Sequence, residues 1–244
     1  MTTTLSAIDA VRAHRERVYG AGEVRSRGGE PFAIVPDGLS EACGRWLLEA
    51  AEREGALRTI ETGFAFGLSG LWLVEGALRG AAARGVDAGG MSHTAIDHSQ
   101  ARAYRDAGRL AFEDAGIGDR LTVVERRSIE ALPMLFEAGE RFDLGFVDGS
   151  HHFDHALIDI SFMLRLVRPG GLIVVDDMGL PGRTAAFDFA RRNLPVTVEL
   201  PEDTEARRMG VLRIDAEGIA ADRRRWDEFH PFWAGEGEMP MPGR

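Results

Sequence analysis

Arg58-Thr59-Ile60-Glu61-Thr62-Gly63-Phe64-Ala65-Phe66-Gly67-Leu68-Ser69-Gly70 is the stretch from which the fold is read. Arg58 to Glu61 predicts a strand and Leu68 to Ala83 a helix, so the glycines between them sit on a strand-to-helix turn. Gly63 and Gly67 let that turn bend tightly and let its backbone approach a ligand at the strand's carboxyl end, where open α/β sheets bind their ligands. The spacing is Gly-x-x-x-Gly, not the Gly-x-Gly-x-x-Gly that seats a pyrophosphate on a helix N-terminus, which argues against NAD or FAD. Glu61, just ahead of the loop, disfavours a pyrophosphate and favours an ammonium or sulfonium ligand.

Outward from this turn the chain alternates strand and helix. Further strands are predicted at His93 to Asp97, Leu121 to Glu125, Phe142 to Asp148 and Leu172 to Asp176, with helices at Gln100 to Ala115 and Ile129 to Ala138. In the helix after the fourth strand, Ala156, Leu157, Ile160, Met163, Leu164 and Val167 recur at spacings of three and four and should face the sheet. Arg168-Pro169-Gly170-Gly171 should stop that helix and lead into Leu172 to Val175, a continuous apolar run expected of a central strand covered on both faces. After a helix near Thr184 to Asn193, the runs Val196 to Leu200 and Met209 to Ile214 suggest an antiparallel edge hairpin. The expected fold is α/β: a Rossmann-like, doubly wound seven-stranded sheet, mostly parallel, with helices on both faces. Residues 58–215 form its core. Residues 1–57 supply helices at Leu5 to Tyr19 and Leu39 to Glu54 around a lid-like loop, Gly20 to Gly38. Residues 216–244 form a tail whose Trp226, Phe229, Phe232 and Trp233 could dock on the body or on a second subunit.

Composition narrows the function. Of 244 residues, 44% are hydrophobic and 28% charged, the balance of an ordinary globular chain. A net charge of -10 argues against nucleic acid as a partner. Arg223, Arg224 and Arg225 are flanked by Asp222, Asp227 and Glu228 and read as a solvated helix face. The single cysteine, Cys43, excludes an intrachain disulfide or a thiolate metal cluster. The first 17 residues lack the apolar stretch of a signal peptide and no run reaches the ~20 residues of a membrane span, so a cytoplasmic location and no membrane partner are expected.

Chemistry-bearing residues fall at strand ends. Asp97, after the second strand, is placed to accept hydrogen bonds from two ribose hydroxyls. Asp148 ends the fourth strand, and Asp176 and Asp177 end the fifth, so neighbouring parallel strands would gather three carboxylates at one rim. Their mutual repulsion calls for a cation, and hard oxygen ligands suit Mg2+ or Mn2+. His151 lies three residues past Asp148 and can act as a base near neutrality. His152 and His155 compete for that role, and His98 could pack on an adenine.

With these pieces in place the chain resembles class I S-adenosylmethionine-dependent methyltransferases, in particular the catechol O-methyltransferase-like and antibiotic-tailoring O-methyltransferases. The matching pieces are Glu61-x-Gly63-x-x-x-Gly67-x-Ser69, Asp97, Ser128-x-Glu130-x-Leu132-Pro133, Phe146-Val147-Asp148-Gly149-Ser150-His151 and Pro169-Gly170-Gly171-x-x-x-x-Asp176-Asp177. The resemblance implies that Gly63 and Gly67 line the methionine moiety, Ser69 reaches its carboxylate, Asp97 the ribose and Ser128 the adenine. Thr62, Phe64, His98 and Asp148 complete the expected S-adenosylmethionine set with Glu61. It further implies a divalent ion on Asp148, Asp176 and Asp177 that holds the acceptor's oxygen atoms. At the position of His151 the family carries a lysine that takes the proton, a departure that leaves the base open. The expected activity is O-methylation of a small phenolic, catechol-like or natural-product acceptor, with a homodimer or higher homo-oligomer as a further expectation. The alternatives are a metal-independent O- or N-methyltransferase using a histidine base, a nicotinamide oxidoreductase and a non-catalytic binding protein.

Overall fold

The computed structural model describes residues 2–35, 38–202, 205–217 and 229–232. The elements are α1 (Thr2–Ala21), β1 (Glu23–Arg25), β2 (Pro31–Ala33), α2 (Glu41–Glu54), β3 (Arg58–Thr62), α3 (Leu68–Arg84), β4 (Ser92–Ile96), α4 (Ala107–Asp114), β5 (Leu121–Val124), α5 (Ser128–Glu137), β6 (Phe142–Val147), α6 (Phe153–Leu166), β7 (Val167–Val175), α7 (Pro181–Asn193), β8 (Val196–Glu199) and β9 (Gly210–Ile214). Seven strands form one sheet in the order β5-β4-β3-β6-β7-β9-β8. The first five in that order run parallel, while β9 is antiparallel to both β7 and β8. This is the mostly parallel sheet with an antiparallel edge that the alternation predicts.

Register places the site. Thr62 pairs with both Ile96 and Val147, Ile96 with Val124, and Val147 with Val175. The carboxyl ends of five strands are therefore level, and Gly63, Asp97, Asp148 and Asp176 are each the first residue beyond. Strand order reverses between β3 and β6, which opens a crevice at that edge. Leu172, Ile173, Val174 and Val175 are fully buried, as an interior strand between two helical layers requires.

Three expectations are corrected. The Gln100 to Ala115 helix is regular only over Ala107–Asp114, because the Gln100 amide is used up on the loop carbonyl of Ala65 (2.8 Å) and on Gly108 N (3.1 Å), while Arg105 and Asp106 take positive φ. Helix α6 ends at Leu166, and Val167 already pairs with Phe142. Arg168 to Gly171 then form an irregularity inside β7 and not a stop before it. The Gly20 to Gly38 loop contains an antiparallel hairpin, with Val24 opposite Phe32. Of the tail aromatics, Phe229 and Phe232 pack on the body, Phe232 against Phe153 and Phe189 and Phe229 against Phe189; Trp226 and Trp233, like Arg223 to Arg225, lie outside the described residues. Cys43 is in the core.

The N-terminal helix is fastened to the core by charge. Glu75 of α3 is fully buried, and Arg12 and Arg15 of α1 converge on it with Arg79. Arg15 also lies over the Trp72 ring at 3.4 Å from its centroid. No helix among the described residues is long and apolar enough to cross a membrane.

Candidate functional site

At the level strand ends lies a cleft of about 680 Å³ whose wall includes Gly63, Phe64, Asp97, Ser128, Asp148 and Asp177. Its floor follows from the turn after β3. Gly63 sits at φ +82°, and a Cβ there would stand 2.2 Å from the carbonyl oxygen of Asp148, so the turn closes onto the next strand's end only without a side chain. Asp97 holds the turn: its Oδ2 accepts from Phe64 N (3.2 Å) and Ala65 N (2.8 Å), and its Oδ1 from Ser99 N (2.8 Å). One of these donors is Ala65, which carries an L side chain at φ +43°. Asp97 thus shapes the loop and also borders the cleft.

Glu61 lies beneath the cleft and not in its wall. It is fully buried, with one oxygen accepting from Ser69 Oγ (2.5 Å) and the other 2.9 Å from His93 Nε2. Against expectation, Glu61 is thus absent from the cleft wall, and it supports Ser69 and His93 from below. Ser69 borders the cleft while anchored to Glu61. Gly67 caps α3 at φ +75°, and a Cβ there would meet Phe64 and Gly108. Thr62 and His98 line the cleft, Thr62 buried and His98 exposed at the edge. Ser128 opens α5 and borders the cleft.

The acidic rim forms as the register demands. Burial pushes the Asp148 carboxyl well above the usual carboxylate range, with Asp176 adding to the rise and Arg183 opposing it. Burial likewise raises Asp176, against the pull of Arg208. The composition of the rim differs from the expected trio. Asp148, His151 and Asp177 each place one ligand atom within 4.8 Å of the others, a set of two carboxylates and an imidazole that fits a divalent ion. Asp176 stands outside that group because Arg208 Nε and a terminal nitrogen grip both its oxygens, at 3.0 and 3.1 Å. His151 is the histidine that reaches the rim, with Nε2 3.3 Å from Asp177 Oδ2. His152 and His155 border the cleft with their rings against each other instead.

Three functional-site neighbours escape sequence reasoning. Arg183 is fully buried and binds the carbonyls of Val147 (2.8 Å), Asp176 (3.1 Å) and Gly149 (2.9 Å) as well as Asp148 (3.4 Å), tying the ends of β6 and β7 together. Asp159 is fully buried on α6, and its oxygens face the hydroxyls of Thr62 and Ser128 without a well-formed hydrogen bond. Arg208 comes from the charged connection between β8 and β9. Only Asp159 leaves a sequence signal, an acid on the apolar stripe of Ala156, Ile160 and Met163.

Comparison with known proteins bears on the domain and the fold. Residues 60–178, just under half of the chain, match a family model described as a methyltransferase domain. A catechol O-methyltransferase from Mycobacterium tuberculosis is 32% identical over 133 residues, which is 52% of this chain and 54% of that protein. The chain thus spans about half the length of that curated relative. Among solved structures, an O-methyltransferase from Streptomyces achromogenes involved in tomaymycin synthesis, in complex with SAM, superposes with a TM-score of 0.60 at 21% identity over 84% of this chain and 89% of that one. An O-methyltransferase from Bacillus cereus in complex with SAH gives 0.60 at 18% identity, over 84% and 90% of the two chains. Residues 60–178 are thus similar to a methyltransferase domain, and the chain shares its fold with these solved structures.

Proposed function

We propose that this chain, built on that domain, is an S-adenosylmethionine-dependent O-methyltransferase that methylates a hydroxyl of a small phenolic, catechol-like or natural-product acceptor with the help of a divalent ion. The observation that carries the reading is the meeting in one cleft of the Gly63 turn, the Asp148-Asp177 pair and a His151 whose side chain is 57% exposed. Methyl transfer from a sulfonium is an in-line displacement, so the protein's task is alignment and exclusion of water.

The cofactor's sulfonium supplies the methyl group. Gly63 gives it close backbone approach, Asp97 offers its remaining lone pairs to a ribose, and Ser128 supplies a hydroxyl. A divalent ion, held by Asp148, His151 and Asp177, would supply the positive charge that orients and acidifies an acceptor hydroxyl. Residues 58–215 serve as the cofactor core. Residues 1–57 cover the acceptor side, a reading supported by Leu39 in the cleft wall and by Phe32 against Phe66, 5.6 Å between centroids.

The test is methyl transfer to a catechol with and without EDTA. Loss on chelation and recovery with Mg2+ or Mn2+ is the expected result, and Asp177→Asn should cost at least about tenfold in rate. Undiminished turnover in EDTA would favour the second reading, a metal-independent enzyme with His151 as base and Arg208 as the rim's cation, which the Arg208-Asp176 pair supports.

A further inference from the structure

The β8–β9 connection brings a guanidinium to the acidic rim that neither cofactor binding nor proton transfer requires. Arg208 spans both oxygens of Asp176 at 3.0 and 3.1 Å, and the same terminal nitrogen touches Asp177 Oδ1. Backbone contact fixes the residue there, since Met178 N donates to the Arg208 carbonyl at 2.9 Å. Asp177 is therefore held from two sides, by Arg208 at Oδ1 and by His151 facing Oδ2. The Arg208 side chain is 43% exposed, so solvent lies open on one flank and the guanidinium can swing away.

Asp176 is only 2% exposed, and a carboxylate that deep needs a positive partner. An ion among Asp148, His151 and Asp177 would share Asp177 with the arginine and stand beside a like charge, which opposes its entry. We infer that Arg208 is a built-in competitor of the divalent ion: its single charge is shared between Asp176 and Asp177, and the ion binds at full strength only when the guanidinium lets go. The inference rests on the reading of the rim as a divalent-ion site, and it makes the β8–β9 connection the element that sets the ion's affinity.

The experiment is a titration of Mn2+ into the purified chain, without cofactor or acceptor, following free Mn2+ by its electron paramagnetic resonance signal. Arg208→Gln keeps a polar stem without charge, and its dissociation constant should fall by about tenfold or more relative to the unaltered chain, within the usual range of coupling between sites. Arg208→Lys keeps the charge, but one ammonium cannot span both oxygens of Asp176, so it should fall between the two. Equal or weaker affinity in Arg208→Gln, or no Mn2+ bound by either form, overturns the inference. If circular dichroism shows Arg208→Gln unfolded, an unchanged affinity in Arg208→Lys overturns it instead. Tighter binding in Arg208→Gln combined with EDTA-resistant methyl transfer would keep the competition and remove the ion from the reaction. EDTA-sensitive transfer with unaltered Mn2+ affinity in the variant would do the reverse.

Discussion

Gly63 shows how much of the site rests on one missing side chain. Its φ of +82° costs an L residue roughly 1–2 kcal/mol. The Cβ would also lie 2.2 Å from a backbone oxygen that cannot swing aside. Gly63→Ala should therefore push the turn off the Asp148 loop and weaken S-adenosylhomocysteine binding at least about tenfold by calorimetry, a loss of roughly 1.4 kcal/mol; unaltered affinity would remove the turn from the cofactor site. Asp159 gives a prediction in pH. Burial raises its carboxyl above the ordinary value, with the Ser128 and Thr62 hydroxyls opposing. The folded chain then keeps a proton that the unfolded chain releases, so this group's contribution is fully present below the ordinary carboxyl value of ~3.9 and is lost as pH rises through the raised one. Asp159→Asn cannot titrate, so its stability relative to the unaltered chain should climb from about pH 4 toward neutrality. Urea midpoints across that span decide it, and a difference independent of pH would show that Asp159 keeps an ordinary carboxyl in the fold.

Elements were legible where periodicity and neighbours agree, and illegible where a side chain is recruited by a distant partner. The run Leu172 to Val175 reads as a buried strand because nothing in it competes with burial, and it is one. Gln100 to Tyr104 reads as helix because its residues tolerate helix, yet the Gln100 amide serves the Gly63 turn and the segment coils instead. The hairpin at residues 23–33 has strands of three residues each, too short for an alternating pattern to declare itself. Helix α1 could be read as a helix, but not its attachment, since the link from Arg12 and Arg15 to Glu75 spans 63 and 60 residues of sequence. That attachment is testable. Glu75→Gln leaves the Arg15 guanidinium, 8% exposed, beside a neutral partner, and breaking a buried pair from one side costs about 3 kcal/mol. The variant should lose that much in urea unfolding, while a loss below about 1 kcal/mol would mean that solvent reaches the cluster and screens it.

At the scale of the whole molecule, the site is a consequence of register. Five parallel strands end level, so residues scattered from Gly63 to Asp177 meet at one edge, and this was foreseeable once the strands were assigned. What could not be foreseen is which charges neutralise the rim. In a chain of net charge -10, the repulsion among Asp148, Asp176 and Asp177 has to be met locally, and the cations that meet it come from two separate elements, Arg183 at the start of α7 and Arg208 after β8. The rim's partners thus depend on tertiary approach and leave no mark in spacing. The same geometry sets how a ligand acts on the fold. A cofactor in the cleft would touch the ends of β3, β4 and β6 and the start of α5 together, adding to the links that the sheet and Asp97 already make. Binding to the folded chain alone stabilises it by mass action, about 2.7 kcal/mol when the ligand stands at 100 times its dissociation constant. For a chain of this size that corresponds to a rise in melting temperature of roughly 5–10 °C. S-adenosylhomocysteine should produce this rise in a thermal melt, and NAD at equal concentration should not, because the Gly63 turn lacks the spacing that seats a pyrophosphate. A rise with NAD and none with S-adenosylhomocysteine would mean that the level strand ends built a different nucleotide site.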